Sequence, residues 1–182
     1  LSHFLHLAKL EARGFKADVK PIDFIQISRR ALSAFEGPAE VKEVTLELLV
    51  SERDEPLDLC LARAQRLLRG NRLWLTRAIE NLLSNALRYT KPRGHIRLSW
   101  YTDDMRERLF LRVEDDGPGV ADHVQETLFE RFVSDEASTL KEGEGSGLGL
   151  AIVKRVIEAH GGEIALIEPE GVSRSIEGRS SL

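Results

Sequence analysis

The chain has 182 residues, 42% of them apolar and 31% charged, with 26 basic and 30 acidic side chains giving a net charge of −4. Those values suit one domain with a sizeable core, and the scattered Lys and Arg offer no surface for nucleic acid. Cys60 is the single cysteine, which excludes a disulfide within the chain and fits a reducing compartment; neither a run of about 18 apolar residues nor a signal-peptide pattern is present.

In chain order, Leu1, Leu5, Ala8 and Ala12 follow a heptad-like spacing, widened by Phe4, Leu7 and Leu10. Three turns cannot sustain a coiled coil alone, so residues 1–14 read as the tail of a longer helix and the chain as a segment of a longer protein. His3 and His6 lack flanking acids and read as ordinary helix residues. Phe15 to Pro21 suits a short strand. Asp23 caps a helix to about Phe35, with Ile27, Ala31, Leu32 and Phe35 buried, and Glu36-Gly37-Pro38 is expected to end it. Val44 to Val50 reads as a strand and Ser51 to Asp58 as a charged loop; Leu59 to Gly70 fits either strand or helix, with a strand favoured at Leu67 to Arg69.

Asn71 caps a long helix from Arg72 to about Thr90, with Leu75, Ile79, Leu82, Leu83 and Ala86 on its core face. Ile96 to Trp100 and Leu109 to Val113 alternate as an antiparallel hairpin around a polar turn at Asp103-Asp104. Asp115 to Gly119 is a tight turn, Ala121 to Phe132 a short helix, and Ser134 to Gly145 a polar loop. Glycines at 143, 145, 147 and 149 then lead into an amphipathic helix that stops at Gly161-Gly162, and Glu163 to Ile167 reads as a strand.

The glycine stretch admits two readings, a phosphate cradle or a loop joining two elements. Glycines before a helix leave backbone N–H groups accessible, and the helix dipole favours an anion there. The spacing excludes a P-loop and a dinucleotide fingerprint. Asn81 and Asn85 share a helix face with Arg88 close by; amide oxygens suit a magnesium ion that keeps several waters, though an exposed polar face looks the same. Asp115, leading Asp-x-Gly-x-Gly, could accept from an exocyclic amine such as that of adenine, or serve only the turn. Phe129 and Phe132 pack or flank a site, and Arg131 reaches a phosphate or stays in water.

Together, Asn-x-x-x-Asn-Ala-x-Arg-Tyr on a helix, Asp-x-Gly-x-Gly after a strand, a phenylalanine pair, and Gly-x-Gly-Leu-Gly-Leu opening a helix resemble the catalytic ATP-binding domain of sensor histidine kinases, from about Asp23 to Ile167. The resemblance implies a Bergerat-type α/β two-layer sandwich, a mixed sheet covered on one face by helices, with an ATP lid between the phenylalanine box and the phosphate loop. It makes residues 1–14 the end of a dimerisation helix and 15–182 the catalytic domain. It implies ATP and Mg2+ as ligands, with Asn81 and Asn85 at the metal and Arg88 and Tyr89 near phosphate and base. Asp115 would read adenine, backed by Gly117, Gly119 and Val120. Phe129, Arg131, Phe132, Lys141, Gly145, Ser146, Gly147, Leu148, Gly149 and Leu150 would complete the nucleotide site. No residue is assigned a catalytic role of its own. The implied partners are the dimerisation domain of the same protein, which carries the phosphoacceptor histidine, and a response regulator. The parent is expected to be a homodimer anchored in the bacterial inner membrane with this domain in the cytoplasm, and the segment alone a monomer that does not autophosphorylate.

Three departures stand out. The lid at Ser134 to Ser146 is acidic, with Lys141 its only cation; the loop at 51–64 is long; and the polar run Ser173 to Glu177 matches the expected last strand poorly. Two other readings share the fold: an ATP hydrolase, and a non-enzymatic module such as an anti-sigma factor. Hydrolases of this fold carry a water-activating glutamate where this chain has Asn81, and Glu80 lies about 100° round the helix. Intact Asn85, Asp115 and glycines argue against a degenerate module.

Overall fold

The computed structural model describes residues 19–50, 69–103, 108–131 and 147–167. The expectations for the dimerisation helix, the 51–64 loop, the lid with Lys141, Gly145 and Ser146, Phe132, and the last strand lie outside the described residues. Elements run β1 (Lys20–Pro21), α1 (Phe24–Ser33), α2 (Glu36–Val41), β2 (Thr45–Val50), β3 (Arg69–Gly70), α3 (Arg72–Tyr89), β4 (His95–Asp103), β5 (Arg108–Asp115), α4 (Asp122–Gln125) and α5 (Gly149–Ala159).

A three-stranded mixed sheet has the order β2-β4-β5. β2 lies parallel to β4, with Thr45 opposite His95, and β4 antiparallel to β5, with Leu98 opposite Val113. β1 and β3 form a separate antiparallel pair. Alternation along β4 turns Ile96, Leu98 and Trp100 into the core with Phe24 and Ile27 of α1, Leu75, Ile79 and Leu83 of α3, and Ile152, Val153 and Val156 of α5. The opposite face carries the Arg97–Glu47 ion pair and the stacked rings of Tyr101 and Phe110. Burying a large aliphatic side chain contributes about 1.5–3 kcal/mol, so the Ile96-Leu98 register fixes which sheet face the helices cover. One polar relay enters this core: the Trp100 indole N–H donates to Ser28 Oγ at 2.7 Å, and Ser28 donates to the Phe24 carbonyl at 2.8 Å.

The caps at Asp23 and Asn71 form as expected, accepting from the amides of Gln26 and Trp74. α5 ends in a paired glycine stop. Gly161 is left-handed at φ +75, its N–H bonds the Glu158 carbonyl, and the Gly162 N–H bonds that of Ile157. Three expectations are corrected. Glu36-Gly37-Pro38 begins a helix rather than only ending one, because proline in a first turn forfeits no intrahelical bond. The helix expected over Ala121 to Phe132 is a single turn, Asp122–Gln125, after which Thr127 and Glu130 bond carbonyls three residues back. Only Val124 there is buried, so little apolar area supports a longer helix. The strands expected at Phe15 to Pro21 and Leu67 to Arg69 appear at Lys20–Pro21 and Arg69–Gly70, and residues 15–18, 67 and 68 lie outside the described residues. Glu163 to Ile167 forms no strand: no ladder partner is present among the described residues, and Leu166 and Ile167 stay exposed. Its start is tied by Glu163, which pairs with Arg108 at 3.7 Å, and by Ile164, which packs against the core.

His160 joins the end of α5 to the start of α3. Its Nδ1 lies 2.7 Å from the Val156 carbonyl and its Nε2 accepts from the Asn71 amide at 2.9 Å. Those partners require the neutral ring with the proton on Nδ1. Gly70 makes room for it, since any Cβ there would overlap the ring. Burial pushes the His160 pKa below its ordinary value, opposed by the bond to Val156. The unfolded chain therefore takes up the proton first as pH falls, and the stability present above about pH 6.5 is lost toward the folded-state pKa. The melting temperature should fall between pH 7.5 and 5.5, and fall less in His160→Gln. An identical pH slope in both proteins would show that His160 is not the group responsible.

Candidate functional site

Three elements converge on one open pocket. The first is the outer face of α3. Asn81, Asn85, Arg88 and Tyr89 are all half-buried along it, because the 3.6-residue repeat that turns Ile79, Leu83 and Ala86 inward leaves them at its border. Asn85 and Tyr89 line the pocket. Arg88 holds its guanidinium 5.6 Å from the centre of the Tyr89 ring, a cation–π distance. Glu80 points elsewhere, paired with Arg77 at 2.9 Å.

The second element is the turn after β5. Asp115 Oδ1 accepts from the Gly117 amide at 2.8 Å, closing the turn through its own side chain. Asp115, Gly117, Gly119 and Val120 line the pocket. Gly117 is required by close approach, since a Cβ there would come within 2.5 Å of Asp115 Oδ1 and 3.3 Å of Tyr89 Cβ and O. Gly119 is left-handed at φ +78, a conformation that favours glycine. The Asp115 carboxyl reaches water at the pocket mouth, yet the protein packed around it raises its pKa. The Gly117 N–H opposes that shift and neighbouring Asp116 adds to it. Asp116 is engaged instead by β4: its Oδ2 accepts from the His95 amide at 2.8 Å and sits 3.2 Å from His95 Nδ1, which lowers its pKa. Both acids line the pocket, but they differ in partner: Asp115 is held by Gly117 of its own turn and Asp116 by His95 at the start of β4.

The third element is the N-terminus of α5. Its N-cap is Leu148, which supplies no side-chain hydrogen bond, and its first turn carries no acid, so among the described residues no side-chain cap of its leading N–H groups is seen. Gly147 is left-handed at φ +60. Gly149 faces α3: a Cβ there would lie 3.5 Å from Asn81 Oδ1. This helix end and the asparagine face are therefore neighbours, which fits a phosphate carrying a metal ion. Leu150 lines the pocket, whereas the Leu148 side chain is buried in the core and leaves only its backbone for a ligand. Phe129 also lines the pocket, while Arg131 is exposed and outside that lining. Sequence reasoning passed over Lys42, which bonds the last turn of α3 from 45 positions upstream; no local pattern marks such a contact.

Comparison with known proteins gives the family. The family model described as histidine kinase-, DNA gyrase B-, and HSP90-like ATPase matches residues 70–180. The sensor protein kinase PmrB of Pseudomonas aeruginosa is 32% identical over 98% of this chain and 33% of its own length. This chain spans a third or less of the curated relatives it matches most strongly. Among solved structures, full-length ShkA in complex with AMPPNP superposes with a TM-score of 0.67 at 28% identity, over 88% of this chain and 30% of that one. The mycobacterial sensor histidine kinase MprB gives a TM-score of 0.59 at 27% identity, over 79% and 80%. With a match over well more than half its length, the chain belongs to the family of histidine kinase-, DNA gyrase B-, and HSP90-like ATPases.

Proposed function

We propose that the chain is the ATP-binding kinase domain of a sensor histidine kinase, which holds Mg-ATP and presents its γ-phosphate to a histidine on a dimerisation domain for relay to a response regulator. The observation that carries this reading is the meeting of Asn81 with Gly149 at the N-terminus of α5, whose N-cap Leu148 supplies no side-chain hydrogen bond. The names of the relatives support it, as does the AMPPNP held by full-length ShkA. The parent protein would be a membrane-anchored dimer with this domain on the cytoplasmic side; no helix among the described residues is long and apolar enough to cross a membrane.

In this reading Asn85, with Asn81, gives amide oxygens to a magnesium ion, whose chemistry is to neutralise phosphate charge. The N–H groups at Gly147 to Leu150 receive the phosphates, with Arg88 near them. Asp115 accepts from the adenine amine, Tyr89 and Phe129 flank the base, and Gly117, Gly119 and Val120 let it approach the backbone. By the family resemblance, Arg131, Phe132, Lys141, Gly145 and Ser146 would also contribute to the nucleotide site. Transfer is favoured over hydrolysis because an amide stands at Asn81 and Glu80 is engaged by Arg77, so neither offers water a general base.

Titration calorimetry on this chain should show ATP and ADP binding strengthened by magnesium. Asn85→Ala should remove most of that magnesium-dependent gain and leave binding in chelator little changed; an equal loss in both buffers would take Asn85 out of the metal site.

Base choice gives a second expectation. Guanine presents a carbonyl where adenine presents an amine, so against Asp115 two acceptors would face each other. ATP should outbind GTP by at least about tenfold, since a hydrogen bond to a charged group contributes roughly 1.5–3 kcal/mol. Asp115→Asn keeps an oxygen for Gly117 and removes a charge that the folded state disfavours. It should abolish the preference without lowering the melting temperature of the nucleotide-free protein. A lower melting temperature with an unchanged ATP/GTP ratio would reduce Asp115 to a turn former.

A further inference from the structure

The last four carbonyls of a helix lack partners inside it. In α3 these belong to Ala86, Leu87, Arg88 and Tyr89, the turn that directly follows Asn85. The Ala86 carbonyl receives the Thr90 amide at 2.8 Å and the Thr90 hydroxyl at 2.7 Å. Leu87 and Arg88 are served from elsewhere: Lys42 Nζ donates to their carbonyls at 2.7 and 3.2 Å. The half-buried ammonium thereby also meets the negative end of the helix dipole.

The junction that holds Lys42 is tightly specified. The Arg93 amide donates to the Lys42 carbonyl at 3.3 Å, and the Arg93 guanidinium pairs with Glu43 at 2.8 Å. Glu43 and Arg93 both take left-handed conformations, φ +59 and +65, which cost energy in residues with a Cβ and persist only where surroundings hold them. On the far side, the turn of Asp115 leans on the same end of α3, with Gly117 against the Tyr89 backbone.

We propose that Lys42 is a positioning residue for nucleotide binding. It does not line the pocket, and it acts by keeping the last turn of α3 wound, so that Asn85, Arg88, Tyr89 and the Asp115 turn behind them are in place before ATP arrives. The proposal rests on the reading above that these groups hold Mg-ATP. Without the ammonium, the last turn frays and binding must rewind it, so affinity falls although no ligand contact has been removed.

The test measures Mg-ATP affinity by calorimetry and nucleotide-free melting temperature on this chain carrying Lys42→Met, Lys42→Gln or Lys42→Arg. Lys42→Met keeps the apolar stem and loses the charge; it should bind Mg-ATP several-fold to about tenfold more weakly, less than the outright loss of a charged hydrogen bond to the ligand because only the rewinding of the last turn counts against binding. Lys42→Gln, with one neutral donor, should fall between, and Lys42→Arg should restore most of the affinity. If Lys42→Met does not fold, the Gln-to-Arg difference in affinity carries the same test. A folded Lys42→Met that binds as tightly as the unsubstituted chain overturns the proposal, as does a lowered melting temperature with unchanged affinity. If the unsubstituted chain binds no ATP, the kinase reading itself has failed and the role of Lys42 falls with it.

Discussion

The site depends on how α3 and α5 lie against each other. Asn71, at the start of α3, bonds His160 at the end of α5, while Asn81 meets Gly149 at the start of α5. Ten residues of α3 and eleven of α5 separate those two contacts, about 15 and 16 Å at 1.5 Å per residue, so the helices run antiparallel in one register over that stretch. A slip of one turn, about 5.4 Å, would break the His160 bonds and carry the N-terminal end of α5 away from the asparagines. The apolar residues Ile152, Val153 and Val156 supply the attraction between the helices, and the directional contact at His160 sets where along its length α5 stops.

Much of this was legible in the sequence because it rests on local periodicity. The repeat through Leu75, Ile79, Leu83 and Ala86 marks α3 and its buried side, and hence the border where Asn81 and Asn85 sit. Alternation marks β4 and β5, and Gly161-Gly162 marks the end of α5. The turn led by Asp115 was also legible from Gly117 and Gly119, whereas the engagement of the adjacent Asp116 by His95 appears only in the structure.

What was not legible depends on contacts distant in sequence or on whether a partner is present. Pro38 is a breaker in one dimension, but a first turn tolerates it. Leu166 and Ile167 have strand propensity, but propensity makes a strand only beside another strand. The run after Ala121 has helix-compatible residues, but with only Val124 buried it stays one turn long. Lys42 reads as one surface lysine among many, and its role appears only when the chain brings it to the end of α3.

The central claim is that this arrangement delivers a phosphoryl group to a histidine rather than to water. The direct measurement is to incubate the parent protein with ATP labelled at the γ-phosphate and follow the label. The account predicts label on the protein in an acid-labile, base-stable form, lost when Asn85 is replaced by Ala. Label appearing only as inorganic phosphate, or remaining on ATP despite bound nucleotide, would contradict it.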